Sequence, residues 1–153
     1  MSQEGTEAVL DGAADFARRF GEFWAAPSPE RLDMLLGDPV RLIAPMTPTT
    51  HTLAEGKRVF AGLFELIPDL RGEVHRWGAI EGGLLIEFTL SGTAGGGPIA
   101  WHAVDRILLA EDGLATERVS YFDSLPIVLT AARRPRAWPG LLRSQLRRRR
   151  PPA

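Results

Sequence analysis

Apolar residues recur at helical spacing at the start of the chain. From about Thr6 to Ala26 they fall on one stripe, and the charged residues lie off it. Pro27 ends this predicted helix, because proline lacks the backbone donor that a helix interior needs. We therefore expect an amphipathic helix packed against a core. Its stripe consists of Val9, Ala13, Phe16, Ala17, Phe20, Phe23 and Trp24.

Two further helices are predicted by their end signals. Ser28 followed by Pro29 is typical of an N-cap and first helical position, and Gly37 is placed to end that helix. Thr52 and Glu55 form a capping box, which opens a third helix that ends at Pro68. Between them, residues 40–44 are predicted as a short strand and residues 45–51 as a loop.

After residue 70 the apolar pattern changes toward a period of two. Four strands are predicted, at about 70–80, 84–93, 99–110 and 114–124. Short glycine-rich links separate them, and such links favour hairpins. Helices followed by a run of hairpins predict an α+β fold, with three N-terminal helices packed on one face of a curved antiparallel sheet.

Composition narrows the function classes. The chain of 153 residues has the length of one domain, and it contains no cysteine, so disulfides, thiolate metal sites and cysteine nucleophiles are excluded. The first residues lack a basic start and an apolar run, and no segment has the length of a membrane span. We expect a cytoplasmic protein.

Charge divides the chain into a domain at 1–132 and an Arg-rich extension at 133–153, expected to be partly helical or disordered. The extension carries eight arginines and no acid, whereas the preceding part has 10 basic and 19 acidic residues. Three interpretations are open: a solvated tail, a segment lying on an anionic membrane, or a contact with nucleic acid. Nucleic acid ranks last, since no aromatic-rich basic surface accompanies the tail.

Several short motifs resemble the SnoaL-like polyketide-cyclase branch of the nuclear transport factor 2-like superfamily. They are Ile67-Pro-Asp-Leu-Arg-Gly-Glu-Val74, Glu87-Phe-Thr-Leu-Ser-Gly-Thr93, Val104-Asp-Arg106 with Asp112-Gly113, and Glu117-Arg-Val-Ser-Tyr-Phe-Asp123. The likeness covers about residues 13–125. It implies a cone-shaped, cystatin-like roll in which a bent sheet wraps around helices and encloses a pocket. It also implies a homodimer that forms through the sheet.

The catalytic groups of this superfamily are mostly missing here. Ketosteroid isomerases use a tyrosine, a protonated aspartic acid and an aspartate base, and the resemblance places Phe20, Asp105 and Ala44 at these positions. The acid that SnoaL-like cyclases and limonene epoxide hydrolases place on the final strand corresponds to Ser120. Phe88 and Leu90 occupy the Arg-x-Asp positions of the hydrolases. The resemblance therefore disfavours those mechanisms.

Asp105 is the candidate catalytic residue. The two-residue period places it on one strand face with Trp101, Ala103 and Ile107. Burial in a pocket raises the pKa of a carboxyl, which then donates to a ligand carbonyl or acts as an acid or base. The alternative is a structural acid bonded to the backbone or to an arginine such as Arg118. Both readings stay open.

The remaining polar candidates are weaker. Asp123 follows a strand end and suits a cap or turn, whereas Ser120 shares a face with Phe122 and lacks an activating base. The histidines are not at metal-ligand spacing, and His102 is out of phase with Asp105. We expect no metal and no cofactor. Gly95-Gly-Gly97 is not a phosphate loop, because no helix and no Lys-Ser/Thr pair follow it.

These observations predict a pocket for a small hydrophobic molecule that carries a carbonyl or hydroxyl, such as a polyketide, terpenoid or steroid-like compound. Either the protein catalyses cofactor-free acid–base chemistry of the cyclase or isomerase type through Asp105, or it is a non-catalytic binding or dimeric interaction module. The residues expected to contact the ligand are Phe20, Trp24, His51, Phe60, Phe88, Trp101, Ser120 and Phe122.

Overall fold

The computed structural model describes residues 3–135, 138–139 and 142–143. Its elements follow the order α1 (Gln3–Ala25), a 3-10 helix (Glu30–Met34), β1 (Leu36–Ile43), α2 (Leu53–Leu66), β2 (Arg71–Ile80), β3 (Gly83–Ala94), β4 (Gly97–Leu109), β5 (Ala115–Phe122) and α3 (Leu125–Arg133). The α+β class and the helices-then-hairpins order are confirmed. Over the described residues, no helix is long and apolar enough to cross a membrane.

The five strands form one curved sheet in the order β1-β5-β4-β3-β2. The pairs β2–β3, β3–β4 and β4–β5 are antiparallel, but β1 pairs with β5 in parallel, so the prediction of a wholly antiparallel sheet is wrong. Short links fix the direction of neighbouring strands only. β1 and β5 are neighbours in the sheet, but α2 and the other three strands separate them in the chain. No short link therefore fixes the direction of β1 relative to β5.

The predicted second helix is also shorter than expected. It is a five-residue 3-10 helix, and the residues expected to complete and to end it, Leu36 and Gly37, belong to β1. The Ala115 N–H donates to the Leu35 carbonyl at 2.8 Å. The backbone of this segment is therefore bonded to β5 rather than to a further helical turn.

The core lies between the helices and the inner face of the sheet. The capping box of Thr52 and Glu55 starts α2 as predicted. The ring of Phe20 meets Phe88 edge-on at 5.0 Å, and Trp24 stacks against Phe88 at 6.2 Å. Close approach of α1 requires Gly72 in β2, because a Cβ atom there would lie 2.7 Å from the Trp24 Cβ.

The C-terminal part begins with an element that the periodicity does not predict, α3. It crosses the expected boundary at residue 132, and its Ile127 packs against the core. Arg134 then donates to the carbonyls of Ala94 and Pro98 at 3.1 and 3.0 Å. The four arginines at 147–150 lie outside the described residues, so the division into domain and extension stays a prediction.

Candidate functional site

A cavity of about 140 Å³ opens between the inner face of the sheet, α2 and the loop that follows β1. The inner faces of β3, β4 and β5 form its floor, and the loop at 44–50 forms its rim. Its wall is mainly apolar. The lining residues are Leu42, Ile43, Ala44, Pro45, Met46, Thr47, Pro48, Thr50, Val59, Phe60, Leu63, Leu66, Phe88, Leu90, Trp101, Ala103, Arg118, Ser120, Phe122 and Ile127.

Arg118 brings a positive charge to this wall. It lies on the inner face of β5, and only 14% of its side chain is exposed. Its Nε–H donates to the Asp105 carboxylate, and its guanidinium lies over the Phe60 ring, 5.4 Å from the ring centroid. Among the described residues, its two terminal nitrogens have no hydrogen-bond partner. They are therefore donors available to a molecule in the cavity.

Asp105 lies beneath the wall rather than in it. Its exposed fraction is zero, and it accepts hydrogen bonds from Arg118 and from the Ser120 hydroxyl, both of which line the cavity. Burial raises the pKa of this carboxyl, whereas the Arg118 charge and the Ser120 hydrogen bond oppose the rise. The sequence left two readings of Asp105 open, and this geometry favours the structural ion pair with Arg118.

Thr50 contributes a second polar group at the rim. Its backbone N–H and carbonyl pair with Leu42 at 3.1 and 3.0 Å, so the residue is held in place. The residue lines the cavity, and only 7% of it is exposed. Within the described part of the chain, its buried hydroxyl has no hydrogen-bond partner. Such a group is costly to leave unpaired, so a bound molecule that accepted a hydrogen bond from it would remove that cost.

The predicted contact residues fall into two groups. Phe60, Phe88, Trp101, Ser120 and Phe122 line the cavity. Three others do not. Phe20 and Trp24 pack into the aromatic core behind it, and His51 lies at a shallow depression outside, near Pro39 and Thr116.

The sequence reasoning did not identify Arg118 or Thr50 as wall residues. A signal existed for Arg118, which is two residues before Ser120 and hence on the same strand face. No such signal existed for Thr50. It reaches the cavity because it pairs with Leu42 across a turn of irregular backbone.

The other polar candidates lie away from the cavity. His75, Thr89 and His102 form a hydrogen-bonded row on the outer face of the sheet, with distances of 2.6 and 2.8 Å. This confirms that His102 faces away from Asp105. Asp123 accepts from the Leu125 N–H at 2.9 Å at the start of α3, which confirms its turn role. The described residues contain no group of three or more potential metal ligands.

The order of elements, the curved sheet and the cavity between sheet and helices define a nuclear transport factor 2-like domain. The SnoaL-like domain family matches residues 17–118, which is two thirds of the chain. The protein belongs to the SnoaL-like domain family. Among curated proteins, none matches the chain.

Solved structures of the same fold are similar to this chain. One is a candidate SnoaL-like polyketide cyclase from Jannaschia, with a TM-score of 0.67 and 18% identity over 79% of this chain and 91% of that one. Another is a candidate polyketide cyclase from Bacillus cereus, with a TM-score of 0.65 and 17% identity over 86% and 85%. A third, AclR from Streptomyces galilaeus, is described as a candidate hydroxylase, with a TM-score of 0.68 and 15% identity over 82% and 83%. At these identities the likeness establishes the fold.

Proposed function

We propose that this protein binds a small hydrophobic molecule that carries a carbonyl or hydroxyl group in the cavity beside Arg118. The observation that carries the proposal is the composition of the wall. It is mainly apolar, and it includes one guanidinium whose terminal nitrogens have no partner among the described residues. Ligand pockets typically combine an apolar lining with a few placed polar groups.

The cavity wall lacks the groups that acid–base catalysis needs, and this favours a binding function. The described residues that line the cavity include no carboxylate and no imidazole. Asp105, the expected acid or base, is separated from the cavity by its two donors, Arg118 and Ser120. A proton acceptor must come within hydrogen-bond reach of its substrate, and Asp105 does not line the cavity.

A second candidate, a cofactor-independent cyclase or isomerase, is supported by one observation. A guanidinium fixed by a buried carboxylate is suited to stabilise negative charge that develops on a carbonyl oxygen. Arg118 would have that role, and Asp105 would position it. Turnover that falls in Asp105→Asn while binding persists would support the enzyme, whereas a wild type that binds without turnover would support the binding protein.

The binding proposal is tested by filling the cavity. Ala103 lies on the inner face of β4 at the cavity, whereas Ala100 is exposed on the outer face of the same strand. Ala103→Leu should occupy the cavity, and Ala100→Leu is the matched control. Thermal-shift assays would use ketones and phenols of one to four rings. We expect stabilisation of the wild type and Ala100→Leu but not of Ala103→Leu. Equal responses from all three proteins would refute the proposal.

A further inference from the structure

The size of the cavity limits the ligand. An engineered apolar cavity of about 150 Å³ in another protein admits benzene, and the cavity here is about 140 Å³. The space inside this partly open cavity therefore suits one ring with a short substituent. Fused polycyclic skeletons such as steroids exceed it. This constraint is narrower than the ligand range expected from the sequence.

The charges at the cavity wall limit the possible ligands further. The Arg118 guanidinium already has a counter-ion in Asp105, which is fully buried. A ligand carboxylate on the remaining nitrogens would add a second negative charge to an apolar site, where an unbalanced charge is costly. An uncharged acceptor such as a ketone accepts the same hydrogen bond without that cost.

Two donors lie in one row across the wall. The backbone of Leu42 pairs with Arg118 on β5 and with Thr50 on its other side, and all three residues line the cavity. Two strand spacings, roughly 10 Å, separate the backbones of Arg118 and Thr50. The two donors therefore belong to opposite ends of one row of the cavity wall, with Leu42 between them.

We propose that the cavity selects compact, uncharged single-ring compounds with a carbonyl-type oxygen, and that Arg118 and Thr50 supply the hydrogen-bond donors. This inference rests on the proposed binding function and specifies its ligand class. Arg118 is the main anchor, because a charged donor forms the stronger hydrogen bond. Thr50 adds a second contact at the rim.

Three probes of nearly equal shape separate the effect of the acceptor oxygen on affinity from the effect of ligand charge. Acetophenone has the acceptor, α-methylstyrene replaces its oxygen with CH2, and benzoate replaces its methyl group with a charged oxygen. Affinities would be measured by amide chemical-shift titration of the full chain. We expect acetophenone to bind at least about tenfold more tightly than either other probe, the ratio that one charge-assisted hydrogen bond gives.

Variants of the two donors test their roles. Arg118→Met combined with Asp105→Asn removes both charges together, so no unpaired charge is left in the core. It should abolish the preference for acetophenone over α-methylstyrene while α-methylstyrene still binds. Thr50→Val should weaken acetophenone about threefold or more. Thr116→Val is its control and should not, because Thr116 is exposed outside the cavity, where its hydroxyl donates to the Leu108 carbonyl.

The outcomes distinguish this inference from the binding proposal. Tighter binding of benzoate than of acetophenone would overturn the charge argument. Binding of a four-ring ketone but not of acetophenone would overturn the size argument and leave the binding function standing. If neither the probes nor larger ketones bound the wild type, the binding function and this inference would fall together.

Discussion

Replacement of Thr50 by valine should make the free protein more stable. The two side chains have nearly the same shape, so the change removes a hydroxyl without creating a cavity. That hydroxyl is buried at the cavity wall with no partner among the described residues, and such a group costs about 1–3 kcal/mol. We expect the free energy of unfolding to rise by about 1 kcal/mol or more, since the hydroxyl is buried and unpaired among the described residues.

Urea unfolding and calorimetry measure this gain. In a domain of this length, about 1 kcal/mol raises the Tm by roughly 2–4 °C. Thr47→Val is the matched control, since the same change in the same loop removes a hydroxyl that donates to the Ala44 carbonyl at 3.2 Å. It should leave stability unchanged or lower it. A loss of stability in Thr50→Val as large as that in Thr47→Val would refute the reasoning, because it would mean that the Thr50 hydroxyl is satisfied.

Four further predictions concern other parts of the molecule. Burial raises the pKa of Asp105, so the folded state keeps its proton over a pH range in which the unfolded state, with a pKa of about 3.9, has lost it. The stability that this proton gives is complete below the unfolded-state pKa and is lost as pH rises through the folded-state pKa. The difference in unfolding free energy between wild type and Asp105→Asn should therefore change across this pH range. A constant difference would contradict the raised pKa of Asp105. Gly72→Ala should destabilise the fold by about 1–3 kcal/mol in urea unfolding, because its Cβ would overlap Trp24, whereas Gly78→Ala, with nothing within 4 Å, should not. The outer sheet face exposes Leu85, Val104 and Tyr121 beside the ion pairs Arg76–Glu87 and Arg106–Glu117, and we propose that a second copy covers it. Tyr121→Arg should shift sedimentation from dimer to monomer, and an unchanged dimer would count against this interface. If the Arg-rich extension lies on an anionic membrane, replacement of the arginines at 147–150 by glutamine should reduce pull-down by vesicles of anionic lipid, and equal pull-down would favour a solvated tail.

The sequence predicts well those elements that are determined by interactions between residues close together in the chain. The capping box at Thr52 and the hairpin links of β2 to β5 involve residues close in the chain, and the structure confirms both. The inner-face position of Asp105 follows from alternation along a single strand, and its burial confirms it. In each case the decisive interactions lie within a few residues of one another.

Features that depend on distant segments are not accessible in this way. The parallel pairing of β1 with β5 joins residues more than 70 positions apart, and it converts the expected second helix into a short 3-10 turn. The same pairing brings Leu42 of β1 and Arg118 of β5 together at the cavity wall. Helical periodicity puts Phe20 and Trp24 on an inward face, but it does not separate the core from a cavity wall, and both residues lie in the core.

The row of Thr50, Leu42 and Arg118 also has a consequence for folding. Arg118 lies far along the chain from Leu42 and Thr50, so this part of the cavity wall exists only after the longest-range strand pairing has formed. Contacts of high sequence separation carry the largest loop-closure cost and form late in many small domains. A ligand held by both donors would therefore recognise only the completed fold. Its binding would stabilise that state by mass action and leave partly folded chains unprotected.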